Sequence, residues 1–569
     1  MRGEMSKWHE KPELLARHVE DLKRKNSNIY QQFNLWASAY GNQKFDNVPK
    51  HFYKSIENYI DPIMSFNIIK SIVDTLTSKV VSYRPSVRLI TAGATEILQS
   101  KARTGEKFIN SIMDKELISQ QCEIFRDALI FGIAFLKIIV LKDSIKFERV
   151  CPSNVVIDYI SCLNSNPENI FQYSYMTKSQ ISKVFPDVDV SKLKEELNCV
   201  YEGWSTSGKK HVISVDNVVL FEEDYDQELP FVMLKTKEDL LGLIGISMVS
   251  EIFTIQYEID KVIEKIQANM DLLAVPFIAK PSNCKISDDF LTNNKNAKIL
   301  EFEGSQPPTV ITPNGFSQQE YQYLADLINK AYELSGISQL SATSRKPEGL
   351  SSGVALRTYH DFESERFVVT HRKWEEFFQN IGKKILELAP DEMAVNIANK
   401  NNIAKVQKFN LDELQDYEVL VYTQNSLART VSGRLQQITD MLTGRLIDIK
   451  EARNLLQLPD IEKNDILNTS QVDLLEEIFE SFLNGGDYIE PVQYQDLELA
   501  IDLGIKYYLR GRLNKEDVEG LNKVLMFIEE CKEMLAPEVA ETPDLSIIKH
   551  ISQKQPQLGE GVPLPMPTE

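Results

Sequence analysis

Apolar residues recur at helical spacing over most of this chain, and one block between about residues 132 and 232 breaks the rhythm. In the first 60 residues Leu14, Leu15, Val19 and Leu22 fall on one helical face. A second helix follows Asn67, and Arg84-Pro85 ends it, since proline pushes the residue before it out of the helical region. The segment after Pro85 is therefore expected to be extended. A third helix is expected over about Lys101–Ile130, with Phe108, Ile112, Ile118, Ile124 and Leu129. Gly132 then interrupts. Ile133–Leu141 is apolar and β-prone, Lys142-Asp143-Ser144 reads as a turn, and Ile145, Phe147 and Val150 complete a hairpin. Short strands continue to Val232, with one short helix at Ser179–Phe185.

Beyond Gly242 and Gly245 the helical pattern returns. Ile246–Leu273 holds neither glycine nor proline. Ile252, Ile255, Ile259, Val262, Ile266 and Leu273 follow a heptad-like track that Asn269 interrupts. Val249, Ile263 and Met270 widen the stripe, so neighbours are expected on more than one side. Glu251, Glu258, Asp260, Glu264 and Asp271 outnumber Lys261 and Lys265 on this helix. Pro276 and Pro281 end it. Residues 277–316 read as a small extended unit turning at Gly304–Pro308. Ser317 and Glu320 then form an S-x-x-E capping box for a helix carrying Tyr321, Leu324, Ile328 and Ala331, which stops at Gly336. A polar loop fills 336–353. From Val354 to Ala389 only Gly382 interrupts a helix about 50 Å long, with Leu356, Tyr359, Phe362, Trp374, Phe378, Ile381, Ile385 and Leu388 as its packing face. Residues 391–428 look mixed, with a strand at Tyr417–Tyr422. Helices over Val472 to about Leu535 are expected to break at Gly485-Gly486 and near Gly511. The proline- and glycine-rich end from Pro556 is expected to be disordered.

Composition narrows the possibilities. With 569 residues the chain is too long for one core. The hydrophobic share of 43% and the charged share of 26% are those of a globular protein. A net charge of −20 argues against a protein that grips duplex DNA by its phosphates, but not against a conduit through which DNA slides. The six cysteines form no C-x-x-C pair and no zinc spacing, so reduced thiols are expected, with no metal and no cofactor. The polar start MRGEMSKWHEK carries no secretory signal, and no run of about 18 apolar residues suggests a membrane span.

Three stretches carry a resemblance to a known family: Ser335–Phe367 (SGISQLSATSRKPEGLSSGVALRTYHDFESERF), the hairpin region DALIFGIAFLKI…IKFERVCPSNVVIDY, and Thr430–Asp460 (TVSGRLQQITDMLTGRLIDIKEARNLLQLPD). In order and character they resemble the portal proteins of tailed double-stranded DNA bacteriophages. That resemblance implies an α+β, mainly helical portal fold assembled as a ring, typically of twelve subunits. It divides the chain into N-terminal helices and an α+β wing (1–245), a first stem helix (246–273), a clip (274–316), a second stem helix (317–335), a tunnel loop (336–353), a long wing helix (354–389), a return to the wing (390–465), a helical crown (466–554) and a tail (555–569). It further implies a channel at one capsid vertex that passes DNA non-specifically during packaging and ejection. The partners would be terminase, a head–tail adaptor, the major capsid protein and a scaffolding protein. The protein would assemble in the host cytoplasm and reside in the virion, without membrane and without a catalytic site.

On that reading Ile252, Ile255, Ile259, Val262 and Ile266 pack between subunits in the stem, and Glu258, Asp260, Glu264 and Asp271 line an acidic channel wall. Arg345 and Lys346, with Ser341 and Ser344, touch DNA from the tunnel loop. One motif points elsewhere: Gly203-Trp-Ser-Thr-Ser-Gly208-Lys209-Lys210 nearly matches a P-loop. Lys210 stands where the hydroxyl for magnesium is needed, and strand-like residues flank it on both sides, so a hairpin is expected. A packaging ATPase or nuclease and a head adaptor that forms no channel are the competing readings.

Overall fold

The computed structural model describes residues 8–41, 65–82, 85–91, 96–141, 144–274, 277–279, 309–311, 318–338, 366–389, 392–398, 404–410, 417–422, 431–444, 471–514 and 518–535, apart from 163–165, 190, 192, 241, 473 and 484, together with residues 342, 446 and 452. Two compact units emerge. One comprises 1–92 and 100–433, the other 93–99 and 434–569.

In the first unit, helix α1 (Leu15–Lys25) buries Leu15, Val19 and Leu22. This face packs on Val156, Phe171, Tyr173, Tyr201 and Val212. Helix α2 (Ser27–Gly41) sets Phe33 edge-on against Phe131 at 5.3 Å. Helix α3 (Ile68–Val81) starts at Asn67, whose side chain accepts from Lys70 N and donates to the carbonyls of Ala39 and Tyr40. It buries residues on every turn because it runs through the main core. After Pro85 the chain is extended, as the proline requires: strand β1 (Ser86–Thr91) pairs antiparallel with a strand far ahead in sequence, β14 (Tyr417–Tyr422).

The expected helix over Lys101–Ile130 is in fact two, α4 (Glu96–Glu116) and α5 (Gln121–Phe131). The break has a cause in side-chain bonding. Gln120 donates to Phe147 O at 2.9 Å and accepts from Arg149 N at 2.8 Å, which ties the turn to the neighbouring hairpin. That hairpin is β2 (Ala134–Leu141) with β3 (Ser144–Val150). Gly132 permits the entry into β2 with φ +81, a left-handed value that glycine adopts without strain.

Strands β4 (Val155–Val156), β5 (Asn169–Met176), β6 (Asn198–Ser205), β7 (Lys210–Val215) and β8 (Val218–Asp224) form an antiparallel sheet in sequence order, with helix α6 (Lys178–Val184) between β5 and β6. Thr177 and Gln180 cap α6 reciprocally. The near-P-loop lies across β6, a turn and β7, so it is a hairpin and opens no helix. Strand β9 (Phe231–Leu234) joins β2 to complete a three-stranded sheet. The two sheets meet where Lys137 of β2 reaches Glu202 of β6 at 2.7 Å and lies 4.4 Å over the Trp204 ring.

Helix α7 (Met248–Ala274), strands β10 (Phe277–Ala279) and β11 (Thr309–Ile311) and helix α8 (Gln318–Ser335) follow. Helix α9 spans Val368–Leu388 and buries Thr370, Trp374, Phe377, Phe378, Ile381, Ile385 and Leu388; the expected early part, 354–365, lies outside the described residues. Gly382 brings α9 close to Val87 and Val419 of the β1–β14 ribbon, where an added Cβ would stand 3.2 Å from each. A hairpin of β12 (Glu392–Ala398) and β13 (Ala404–Asn410) precedes β14 (Tyr417–Tyr422). Helix α10 (Val431–Thr443) spans the boundary between the units.

The second unit has its own core. Helical residues 474–483, helix α11 (Leu497–Asn514) and helix α12 (Val518–Leu535) enclose Leu475, Phe479, Phe482, Val524, Phe527 and Ile528. The helix ends close to Gly511, as its sequence suggested, and the next starts at Val518. The first of them runs to Asn514, and Gly511 is buried. Residues 536–569, including the tail expected to be disordered, lie outside the described residues. The protein is thus a mixed α+β protein rich in helix.

Candidate functional site

The feature with most functional promise is the arm built by α7, β10, β11 and α8. Its base is set by close backbone packing. A Cβ on Gly245 would collide with the carbonyl of Lys237 and come within 2.7 Å of the Gly132 carbonyl. Two residues later Ser247, fully buried, accepts from Ser250 N at 3.2 Å and donates to Ile130 O, fixing the first turn of α7 against the end of α5.

Along α7 the apolar stripe then serves two purposes. Met248, Val249, Ile252, Ile259 and Ile263 belong to the chain's own core. Val262 is buried as well, and Ile255 packs partly buried against the same core. Of the five isoleucine and valine positions expected between subunits, Ile252, Ile259 and Val262 are therefore covered by the chain itself. Ile266 is half-buried, and Met270 is 57% exposed. The first part of α7 is tied to the end of α5 through Ser247 and to the start of α3 through Gln256 and Asp260, and α8 packs on the helix as well.

The acidic positions also divide. Asp260 does not stand on an open wall. Its Oδ1 accepts from Ser65 Oγ at 2.9 Å and from Gln256 Nε2 at 3.0 Å. Burial pushes its carboxyl above the usual range, against the opposing effect of those two bonds. Gln256 is the hub here. Its Oε1 accepts from Ile68 N at the first turn of α3, and its Nε2 also donates to Phe66 O. Sequence reading missed this residue, although a glutamine inside an apolar track was the available signal. Glu258 pairs with Lys261 at 2.8 Å, and Lys261 lies over the Tyr257 ring. Glu264 is half-buried, and Asp271 lies on the last turns of α7.

Strands β10 and β11 pair antiparallel, Phe277 with Ile311 and Ala279 with Thr309. They bring the end of α7 beside the start of α8, so the two helices run antiparallel and pack on each other. Near its end α8 buries Ala331, Tyr332 and Ser335 and turns sharply at Gly336, φ +76, where the Arg366 guanidinium lies against the backbone. Its first turns are exposed, with Tyr321 and Tyr323 about half accessible. The arm therefore has a base anchored in the core and an outer half with apolar side chains at its surface. Most of the clip, and Ser341, Ser344, Arg345 and Lys346 of the polar loop, lie outside the described residues.

Elsewhere in the unit, α9 is strapped to the segments flanking β9 by Lys373–Glu238 at 2.7 Å and Lys384–Glu228 at 2.9 Å. These pairs span a groove of about 780 Å³ in which acids and lysines neutralise each other. Among the described residues, no group of three or more His, Cys, Asp or Glu could hold a metal ion, and no helix is long and apolar enough to cross a membrane.

No protein-family model and no curated protein matches the chain. One solved structure similar to it, described as "Neck of native GTA particle computed with C12 symmetry", covers 69% of this chain and 89% of its own, at 10% identity and a TM-score of 0.36.

Proposed function

We propose that this chain is the portal subunit of a tailed-phage head, assembled as a ring that passes double-stranded DNA. The observation that supports it most is the arm: two antiparallel helices joined by a strand pair, buried at the base and apolar at the surface of the outer half. A monomer has no use for that outer surface, whereas a ring of identical chains covers it by heterologous contacts, each copy presenting unlike faces to its two neighbours. The resemblance of Ser335–Phe367 to the portal pattern places a polar loop with Arg345 and Lys346 directly after the arm. Terminase, a head–tail adaptor, the major capsid protein and a scaffolding protein would be its partners. The subunit would act as a conduit and not as a catalyst.

Negative-stain microscopy and mass photometry of the purified chain test this directly. The expected outcome is closed rings with a central opening, typically of twelve subunits. A protein that remains monomeric at micromolar concentration would rule the reading out.

A further inference from the structure

One histidine in the first unit has a carboxylate at each ring nitrogen. His211 of β7 sets its Nε2 3.0 Å from Glu202 of β6 and its Nδ1 2.7 Å from Glu223 of β8. The ring is largely buried and stacks on Trp204 at 4.9 Å, with an interplanar angle of 7°. Phe221 and Tyr225 approach it at steep angles. A neutral imidazole has one N–H and one bare nitrogen, whereas an ionised carboxylate only accepts. One of the two contacts would then set a lone pair against a carboxylate oxygen. Both are satisfied when the ring carries two protons and donates to each side. A proton on Glu202 is the poorer alternative. Burial pushes its carboxyl up, but its bonds to His211 and Lys137 outweigh that and hold it below the usual range. The other charged or titratable groups on this side are Lys137, which reaches Glu202 from β2 at 2.7 Å, and Tyr225 beyond the end of β8. Helix α1 packs on the opposite face of the sheet, against Val212.

What this histidine holds is a sheet edge. Strand β8 is the outermost of the five. The register slips at Ile213/Ser214, and Leu220 is the last β8 residue with a buried side chain. Past it, Phe221–Asp224 are all exposed. This outer half keeps its ladder to β7 and two sets of charge pairs. Lys210 meets Glu222 and Asp224, each at 2.9 Å, and His211 meets Glu223. With nothing buried beyond Leu220, these cross-strand pairs are what reinforces the ladder there.

We propose that His211 is a proton-operated clasp on this edge. Doubly protonated, it ties the outer half of β8 to β6 across β7. When one proton passes to water, the ring keeps a single carboxylate and the outer half of β8 loosens. The clasp does not depend on the ring assembly proposed above. Its sign is fixed: a proton held by the folded edge adds protection in mild acid and loses it as pH rises. Hydrogen–deuterium exchange of the full-length chain tests this, read by mass spectrometry on a peptide covering residues 218–226 and corrected for intrinsic rate. The range runs from about pH 5.5 to pH 8.5, on either side of the ordinary imidazole value. Protection of Phe221–Asp224 should fall about fivefold as pH rises, the scale of one partly exposed ion pair, while β6 is unchanged. His211→Gln cannot gain a proton and should show the lower protection at every pH. Glu223→Gln supplies an amide that donates to a bare ring nitrogen, so it should keep the protection and lose the pH dependence. Equal pH courses in wild type and His211→Gln would overturn the clasp, as would wild-type pH dependence in Glu223→Gln. A loss of protection spread evenly over β5, β6 and β7 would also overturn it, because that marks general unfolding and not release of an edge.

Discussion

Glu202 shows how much a single side chain carries here. Its two oxygens meet Lys137 at 2.7 Å and His211 at 3.0 Å, and His211 in turn meets Glu223 at 2.7 Å while stacking on Trp204. Burial alone would raise the Glu202 carboxyl, but its bonds to His211 and Lys137 outweigh that and hold it below the usual range. A depressed carboxylate contributes stability above its unfolded value and loses it as pH falls through the folded value. Glu202→Gln should therefore cost the first unit about 3 kcal/mol near neutral pH, the scale expected when one partner of a buried pair is removed. Urea denaturation of mutant and wild type should show that gap narrowing as pH falls below about 4. A gap unchanged with pH would refute the assignment. Gly132 is a second such position. Gly132→Ala would force a side chain into a left-handed backbone and into the Gly245 carbonyl. A large fall in thermal midpoint or in soluble yield is expected, and an unchanged midpoint would contradict it.

At the scale of elements, local chemistry was readable and partners were not. The β2–β3 hairpin, the extended segment after Pro85, the short helix α6 and the strand Tyr417–Tyr422 all follow from turn residues and alternation. The P-loop resemblance failed for the stated reason, strands on both sides. The break at Leu117–Gln120 was hidden because its cause is a glutamine bonded to a strand that comes later in the chain. The stripe on α7 was correctly seen as too wide for one neighbour, but periodicity cannot say which neighbours are in the same chain. Most of the stripe is buried in the chain's own core, where α7 packs on α2, α3, α5 and α8. This division gives a prediction. Ile259→Asp puts a charge into a fully buried site and should unfold the first unit, seen as lost helical circular dichroism. Ile266→Asp with Met270→Asp, on the outer half, should leave the fold intact and shift mass photometry from rings to smaller species. Intact rings in that double variant would mean the outer arm is not a subunit contact.

At the scale of the whole molecule the net charge of −20 constrains any contact with DNA. The ring proposed above would carry many times that charge, and a duplex would meet it as repulsion along most of the surface. Repulsion suits a conduit: a wall that bound phosphates firmly would have to release each one for DNA to advance. The cations that do approach DNA should then be few and weakly engaged, and Arg345 with Lys346 is the adjacent pair that the sequence offers between residues 336 and 353, the stretch proposed to meet DNA. Charges that meet solvent are screened over about 10 Å at 0.1 M salt, so an effect of this pair is expected in the filled particle and hardly in dilute solution. Purified rings should retain little duplex DNA in a filter-binding assay at physiological salt, with or without this pair. Arg345→Ala with Lys346→Ala should leave ring formation unchanged yet alter how firmly filled heads hold their DNA, measured as the genome fraction retained after a salt or heat challenge. Full-length genomes held as stably as in wild type, at wild-type yield, would remove these two residues from contact with DNA.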